Sequence, residues 1–139
     1  MKKKLSCVLL VDDDEPTNFL NRIVLEEAGC TEHIQVAQSG HAAITYLKSA
    51  GAAGGGAIPD LVFLDINMPA MDGWEFLARY NELLRHQQAE VVVVMLTTSL
   101  NPEDEIKAKS IPTISGFLCK PLTHNTLDRL LRTFFPDHF

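Results

Sequence analysis

The segment Leu5-Ser6-Cys7-Val8-Leu9-Leu10-Val11 is nearly continuous in apolar residues and runs straight into four acids, Asp12-Asp13-Asp14-Glu15. Such a run suits a strand buried on both faces, as in a parallel sheet, better than a half-exposed strand, whose residues would alternate. The basic start Met1-Lys2-Lys3-Lys4 is followed by too short an apolar stretch for a signal peptide. No stretch of the chain approaches the roughly 18 apolar residues of a membrane span. The reading is therefore a cytoplasmic protein built around a buried parallel sheet.

The same arrangement, an apolar run followed by a helical pattern, recurs along the chain. After the acidic turn, Pro16 falls at a first helical position, and Phe19, Leu20, Ile23, Val24 and Ala28 follow at helical spacing until Gly29. A weaker strand is expected at Ile34 to Ala37, with Ser39 capping a helix that carries Ala43, Ile44 and Leu47. Leu61 to Leu64 reads as the third strand, and Gly73 opens a helix with Phe76, Leu77, Tyr80, Leu83 and Leu84 on one face. Val91 to Leu96 is the most β-branched segment and reads as the fourth strand, followed by a short polar helix from about Pro102 to Ser110. Ile114 to Cys119 gives the fifth strand, and Thr123 caps a final helix marked by Leu127, Leu130, Leu131 and Phe134. Five strand-then-helix units with short connections imply one doubly wound α/β domain with right-handed crossovers.

The domain is expected to occupy the whole of residues 1–139, with a core from about 5 to 135 and no output domain. The glycine-rich insert at 50–57 follows a helix rather than a strand and offers no lysine for a phosphate, so it reads as a flexible surface loop. Phe134, Phe135 and Phe139 form an aromatic tail expected to pack on the core, and Trp74 is expected to be surface packing. Cys7, Cys30 and Cys119 are too far apart for metal-ligand spacing, and two of them read as small buried hydrophobes in a reduced compartment.

In an open parallel sheet, ligands bind beyond the carboxyl ends of the strands, where strand order reverses. Asp12, Asp13 and Asp14 follow the first strand, Asp65 and Asn67 the third, Thr97, Thr98 and Ser99 the fourth, and Lys120-Pro121 the fifth. Carboxylates gathered within a few ångströms repel one another unless a cation intervenes. Mg²⁺ fits, because it takes hard oxygen ligands, few protein carboxylates and several waters. Its open positions would admit a phosphate oxygen, with the Thr97 hydroxyl and Lys120 ammonium on the others and one carboxylate as nucleophile. Charge agrees with this choice of ligand. A net charge of −6 lacks the basic footprint of a nucleic-acid binder and disfavours anionic membranes.

Leu9-Leu10-Val11-Asp12-Asp13, Leu64-Asp65-Ile66-Asn67-Met68-Pro69-Ala70-Met71-Asp72-Gly73, Met95-Leu96-Thr97 and Gly116-Phe117-Leu118-Cys119-Lys120-Pro121 occur in one order along the chain. Together they resemble the receiver domain of two-component response regulators, the CheY-like proteins, over about Leu5 to Phe134. The resemblance implies a flavodoxin-like three-layer sandwich with a five-stranded parallel sheet in the order 2-1-3-4-5. It implies that Asp65 is the phosphoacceptor, taking its phosphoryl group from the phosphohistidine of a sensor histidine kinase or phosphotransfer protein. Mg²⁺, with Mn²⁺ as an alternative, would be held by Asp13 directly, by Asp12 mainly through water, by Asp65 and by the backbone carbonyl of Asn67. Thr97 would be the switch hydroxyl, Lys120 the phosphoryl-binding cation and Phe117 the switch aromatic. The side chains of Asn67 and Ser99 would tune autodephosphorylation. Thr98 and Phe117 depart from the small residue and the tyrosine frequent at their positions.

On this resemblance the chain is a signalling module, not a turnover enzyme. It would signal to a downstream protein through the face of the fourth helix, fifth strand and fifth helix, as a monomer or weak dimer. Other readings are a phosphorylation-independent pseudo-receiver and a haloacid-dehalogenase-like phosphatase using Asp12, from Asp12-x-Asp14. The phosphatase lacks its late acidic motif here, since the late segment carries Lys120-Pro121. A flavodoxin-like cofactor binder lacks a phosphate loop after the first strand.

Overall fold

A computed structural model of the chain describes residues 3–51, 54–87, 91–98 and 101–139, with residues 84–87 by their backbone alone. Strands and helices alternate as β1 (Leu5–Val11), α1 (Glu15–Ala28), β2 (Thr31–Ala37), α2 (Gly40–Ser49), β3 (Leu61–Leu64), α3 (Gly73–Gln87), β4 (Val92–Thr97), α4 (Pro102–Lys109), β5 (Ile114–Cys119) and α5 (His124–Phe134). The strands form one sheet in the order β2-β1-β3-β4-β5, with parallel neighbours throughout. This is the doubly wound order expected. The chain steps outward from β1 to β2, then returns past it to β3, so the switch point lies between the carboxyl ends of β1 and β3.

The near-continuous apolar strands are explained by two cores, one on each side of the sheet. Leu9, Val11, Val62, Leu64 and Met95 face one side, where α2, α3 and α4 contribute Ile44, Phe76 and Ala108. Val8, Leu10, Phe63, Val94 and Leu96 face the other, where α1 and α5 contribute Leu25, Leu127, Leu130 and Leu131. Helix starts follow their capping residues: Asp14, Ser39, Asn101 and Thr123 each accept a backbone N–H of the first turn. Phe134, Phe135 and Phe139 pack against the second core as expected. Trp74 packs partly buried against the first, with the Lys107 ammonium 4.5 Å from its ring centroid. Cys7 and Cys30 are buried, whereas Cys119 is exposed.

Two expectations shift. On α1, Phe19 and Leu20 are 63% and 59% exposed, and the buried residues are Asn18, Asn21 and Leu25. The Asp14 cap makes Glu15 the first helical residue and Pro16 the second, which turns the first half of the helix so that two asparagines meet the carboxyl rim of the sheet. The strand expected at Ile34 starts at Thr31, because an edge strand keeps its outer residues polar. The expected position of Leu84 on the buried face of α3 lies outside the described side chains.

The described part of the glycine-rich insert lies at the surface. Its base is tied down where Gly51 N–H donates to the Gly56 carbonyl at 2.8 Å and the Tyr46 hydroxyl donates to the Ala57 carbonyl.

Candidate phosphoacceptor and metal site

Register brings the site together. Val11 pairs with Leu64 across β1 and β3, so the next residues, Asp12 and Asp65, stand side by side at the switch point. Thr97 pairs with Cys119 across β4 and β5, which makes Lys120 the first residue beyond that pair. The Lys120 N–H then donates to the Thr97 carbonyl at 2.8 Å. From there the Lys120 ammonium reaches back across the sheet, 2.6 Å from Asp12 Oδ2 and 3.4 Å from Asp65 Oδ1. Beneath the rim, Gly73 is required: its N–H donates to the Ile66 carbonyl at 2.8 Å, and a Cβ there would lie 2.6 Å from the Asp65 carbonyl.

Asp12 is held from several directions. Its N–H donates to the Ala37 carbonyl, its Oδ1 accepts the Asp14 N–H at 2.9 Å, and its carbonyl accepts the Asn18 Nδ2 at 2.8 Å. Asp14 itself turns away as the α1 cap, bonded to the Thr17 hydroxyl and N–H, which hold its carboxyl below the usual value. Asp12, Asp13 and Asp65 each place a ligand oxygen within 4.8 Å of the others. Asp12 and Asp65 are buried and Asp13 is exposed, so the cluster opens to solvent on one side.

The electrostatics are unbalanced. Burial first, and the Asp12 charge second, push the Asp65 carboxyl above its ordinary value, while Lys120 and the Asn67 backbone pull it the other way. Burial alone would lower Lys120, but the hydrogen bond and charge of Asp12, followed by Asp65, outweigh it and raise the ammonium above the usual lysine value. One ammonium thus pairs with two of the three clustered carboxylates. A hard divalent cation with few protein ligands suits this all-oxygen set, and the exposed Asp13 gives it a way in.

Other expected residues take different places. Thr97 is fully buried at the end of β4, and Thr98 is exposed beside it. Asn67 is exposed in the loop after β3. Phe117 is half-buried on β5 against the first core, in a groove shared with Ala108 of α4. Ser99 lies outside the described residues. The sequence reading missed Asn18 and Asn21, buried beside Asp12 and Asp65. Their signal was available as a polar interruption, three residues apart, in the stripe that continues to Leu25.

The strand order and the acidic switch point define a CheY-like α/β domain. A family model for the response regulator receiver domain matches residues 8–132, and the chain belongs to that family. The structure is similar to the crystal structure of a two-component response regulator from Cytophaga hutchinsonii, with a TM-score of 0.86 and 34% identity over 96% of this chain and 99% of that one. In sequence it is 29% identical, over 88% of this chain and 76% of the relative, to the probable methanogenesis regulatory protein FilR2 of Methanothrix harundinacea. It is 28% identical over 97% of its length to the signal transduction histidine-protein kinase BarA of Escherichia coli, of which it spans only 14%. Receiver domains are signalling modules that work with histidine kinases and downstream targets. Among the described residues no helix is long and apolar enough to cross a membrane.

Proposed function

We propose that the protein accepts a phosphoryl group on Asp65 from the phosphohistidine of a sensor histidine kinase or phosphotransfer protein. An Asp65 oxygen attacks phosphorus, the P–N bond breaks, and the imidazole leaves with the electron pair, giving an acyl phosphate on Asp65. The observation that carries this reading is the convergence of Asp12, Asp13 and Asp65 with the Lys120 ammonium bridging Asp12 and Asp65. Between the buried acids, Asp12 is held the more tightly, by Lys120 at 2.6 Å and the Asp14 N–H at 2.9 Å, whereas Lys120 stands 3.4 Å from Asp65, and this favours Asp65 as the nucleophile. The same contrast disfavours a phosphatase that attacks through Asp12.

Mg²⁺ held by Asp13, Asp65, the Asn67 carbonyl and, through water, Asp12 would offset the negative charge that otherwise keeps a phosphate out. Lys120 then carries charge on the transferred group, and the Thr97 hydroxyl is drawn to it. Movement of Thr97 vacates space that Phe117 enters, and this biases the α4–β5–α5 face toward a downstream protein. The acyl phosphate is later hydrolysed, at a rate tuned by Asn67 and Ser99. On this reading the protein works in the cytoplasm without contacting nucleic acid or membrane. Incubation with acetyl phosphate and Mg²⁺, followed by intact mass, should show one added phosphoryl group, absent in Asp65→Asn and in chelator. Failure of the wild-type protein to label from acetyl phosphate or a phosphohistidine donor supports the pseudo-receiver instead.

A further inference from the structure

Asn18 does not belong where it lies on grounds of stability. It is 4% exposed, on the face of α1 that continues through Asn21 to Leu25. Asparagine is a modest helix former, and burying an amide is unfavourable unless both of its ends are bonded. Here only one end is: Nδ2 donates to the Asp12 carbonyl at 2.8 Å, while Oδ1 is buried and accepts no hydrogen bond from the described residues. Turning the amide over would set its oxygen against that carbonyl, acceptor against acceptor, so the orientation is fixed by the contact it makes. Asn18 lines a small cleft with Asp12, Asn21, Asp65 and Leu96.

The partner explains the placement. The Asp12 carbonyl belongs to the planar peptide unit that joins Asp12 to Asp13. Holding its oxygen from α1 sets the plane of that unit, and with it the direction in which Asp13 leaves the chain. Asp12 is already held by the Ala37 carbonyl, the Asp14 N–H and Lys120. Asp13 is the exposed member of the cluster and depends on the peptide before it for its aim.

We propose that Asn18 is a positioning residue for the acidic site: its bond to the Asp12 carbonyl aims Asp13 at the cation that the cluster binds. The proposal rests on the reading of that cluster as a Mg²⁺ site. Residues that orient ligands without touching the metal change its affinity by roughly 10–100-fold when removed, and the lower end applies to a single bond to the main chain. Asn18→Leu keeps the volume and removes the bond together with the unpartnered oxygen. It should leave the unfolding midpoint in metal-free buffer unchanged or higher, while raising the Mg²⁺ dissociation constant, read by calorimetric titration, about tenfold. Asn21→Leu removes the neighbouring buried amide, which makes no bond to Asp12, and should bind Mg²⁺ as the wild type does. Labelling of Asn18→Leu by acetyl phosphate should be slow at low Mg²⁺ and recover at saturating Mg²⁺, which repair of a merely structural defect would not produce. Should Asn18→Leu fold poorly, Asn18→Ala provides the same comparison. Unchanged Mg²⁺ affinity in the folded Asn18 variant overturns the proposal, as does an equal loss in Asn21→Leu. If the wild-type protein binds no Mg²⁺, the metal-site reading and this proposal fall together, whereas normal wild-type binding with an unaffected variant removes this proposal alone.

Discussion

Leu64 and Asp65 are adjacent in the chain and nearly equally inaccessible, at 0% and 6%, yet they stand in regions with opposite energetics. Leu64 ends a strand inside the first apolar core, where every neighbour adds to stability by excluding water. Asp65 begins the rim, where a carboxylate is withdrawn from water beside another and is compensated by one ammonium at 3.4 Å. The interior of the sheet makes the fold. The rim spends part of that stability to keep acids together at the place where strand order reverses. A receiver needs both, because a site of mutually repelling groups holds its shape only on a scaffold that tolerates the strain.

The largest effect is expected in the interior. Leu64→Ala should lower the unfolding free energy by about 2–5 kcal/mol in denaturant titration. The folded fraction should still take up phosphate, because the acids beyond the strand are untouched. Loss of labelling in folded Leu64→Ala protein would mean that core and rim are not separable in this way. The next largest effect has the opposite sign and belongs to the rim. Mg²⁺ at about 100 times its dissociation constant should stabilise the wild-type protein by about 2.7 kcal/mol, since it binds the folded cluster and not the unfolded chain. Asp13→Asn should remove most of that gain.

The smallest effect is the most specific. The folded state holds a proton on Asp65 more readily than the unfolded chain does, because burial and Asp12 raise its value above 3.8. Its contribution is therefore full below that ordinary value and is lost as pH rises through the folded one. Asp65→Asn should accordingly be more stable than the wild type in metal-free buffer at pH 7, by less than the Mg²⁺ effect. The gap should close as the pH is lowered toward 4. A variant less stable than the wild type at pH 7 in chelator would show that the rim is not strained.

The same division decided how much could be read from sequence. Parallel strands buried on both faces announce themselves as continuous apolar runs, so β1 and β3 were legible to the residue, and the bounds of the partly exposed edge strand β5 were read correctly as well. The strand ends then located Asp12, Asp65, Thr97 and Lys120 without further information. The edge strand β2 was legible only in its inner half, since Thr31, Glu32 and His33 look like loop. On α1 the apolar Phe19 and Leu20 suggested the wrong phase, because its buried face is polar where it meets the acids. The burial of Asn18 was signalled by the polar interruption of the α1 stripe, but the contact it makes was not. Its partner is a main-chain carbonyl, which carries no signature of residue type.

Asp65 is the reacting carboxylate in the proposed transfer, and locating the modification tests that role. After labelling with acetyl phosphate and Mg²⁺, borohydride reduces an acyl phosphate on aspartate to homoserine, which peptide mass mapping assigns to a position. Homoserine is expected at position 65, with Asp12 and Asp13 unmodified. Homoserine at 12 or 13 with an intact Asp65 would contradict it.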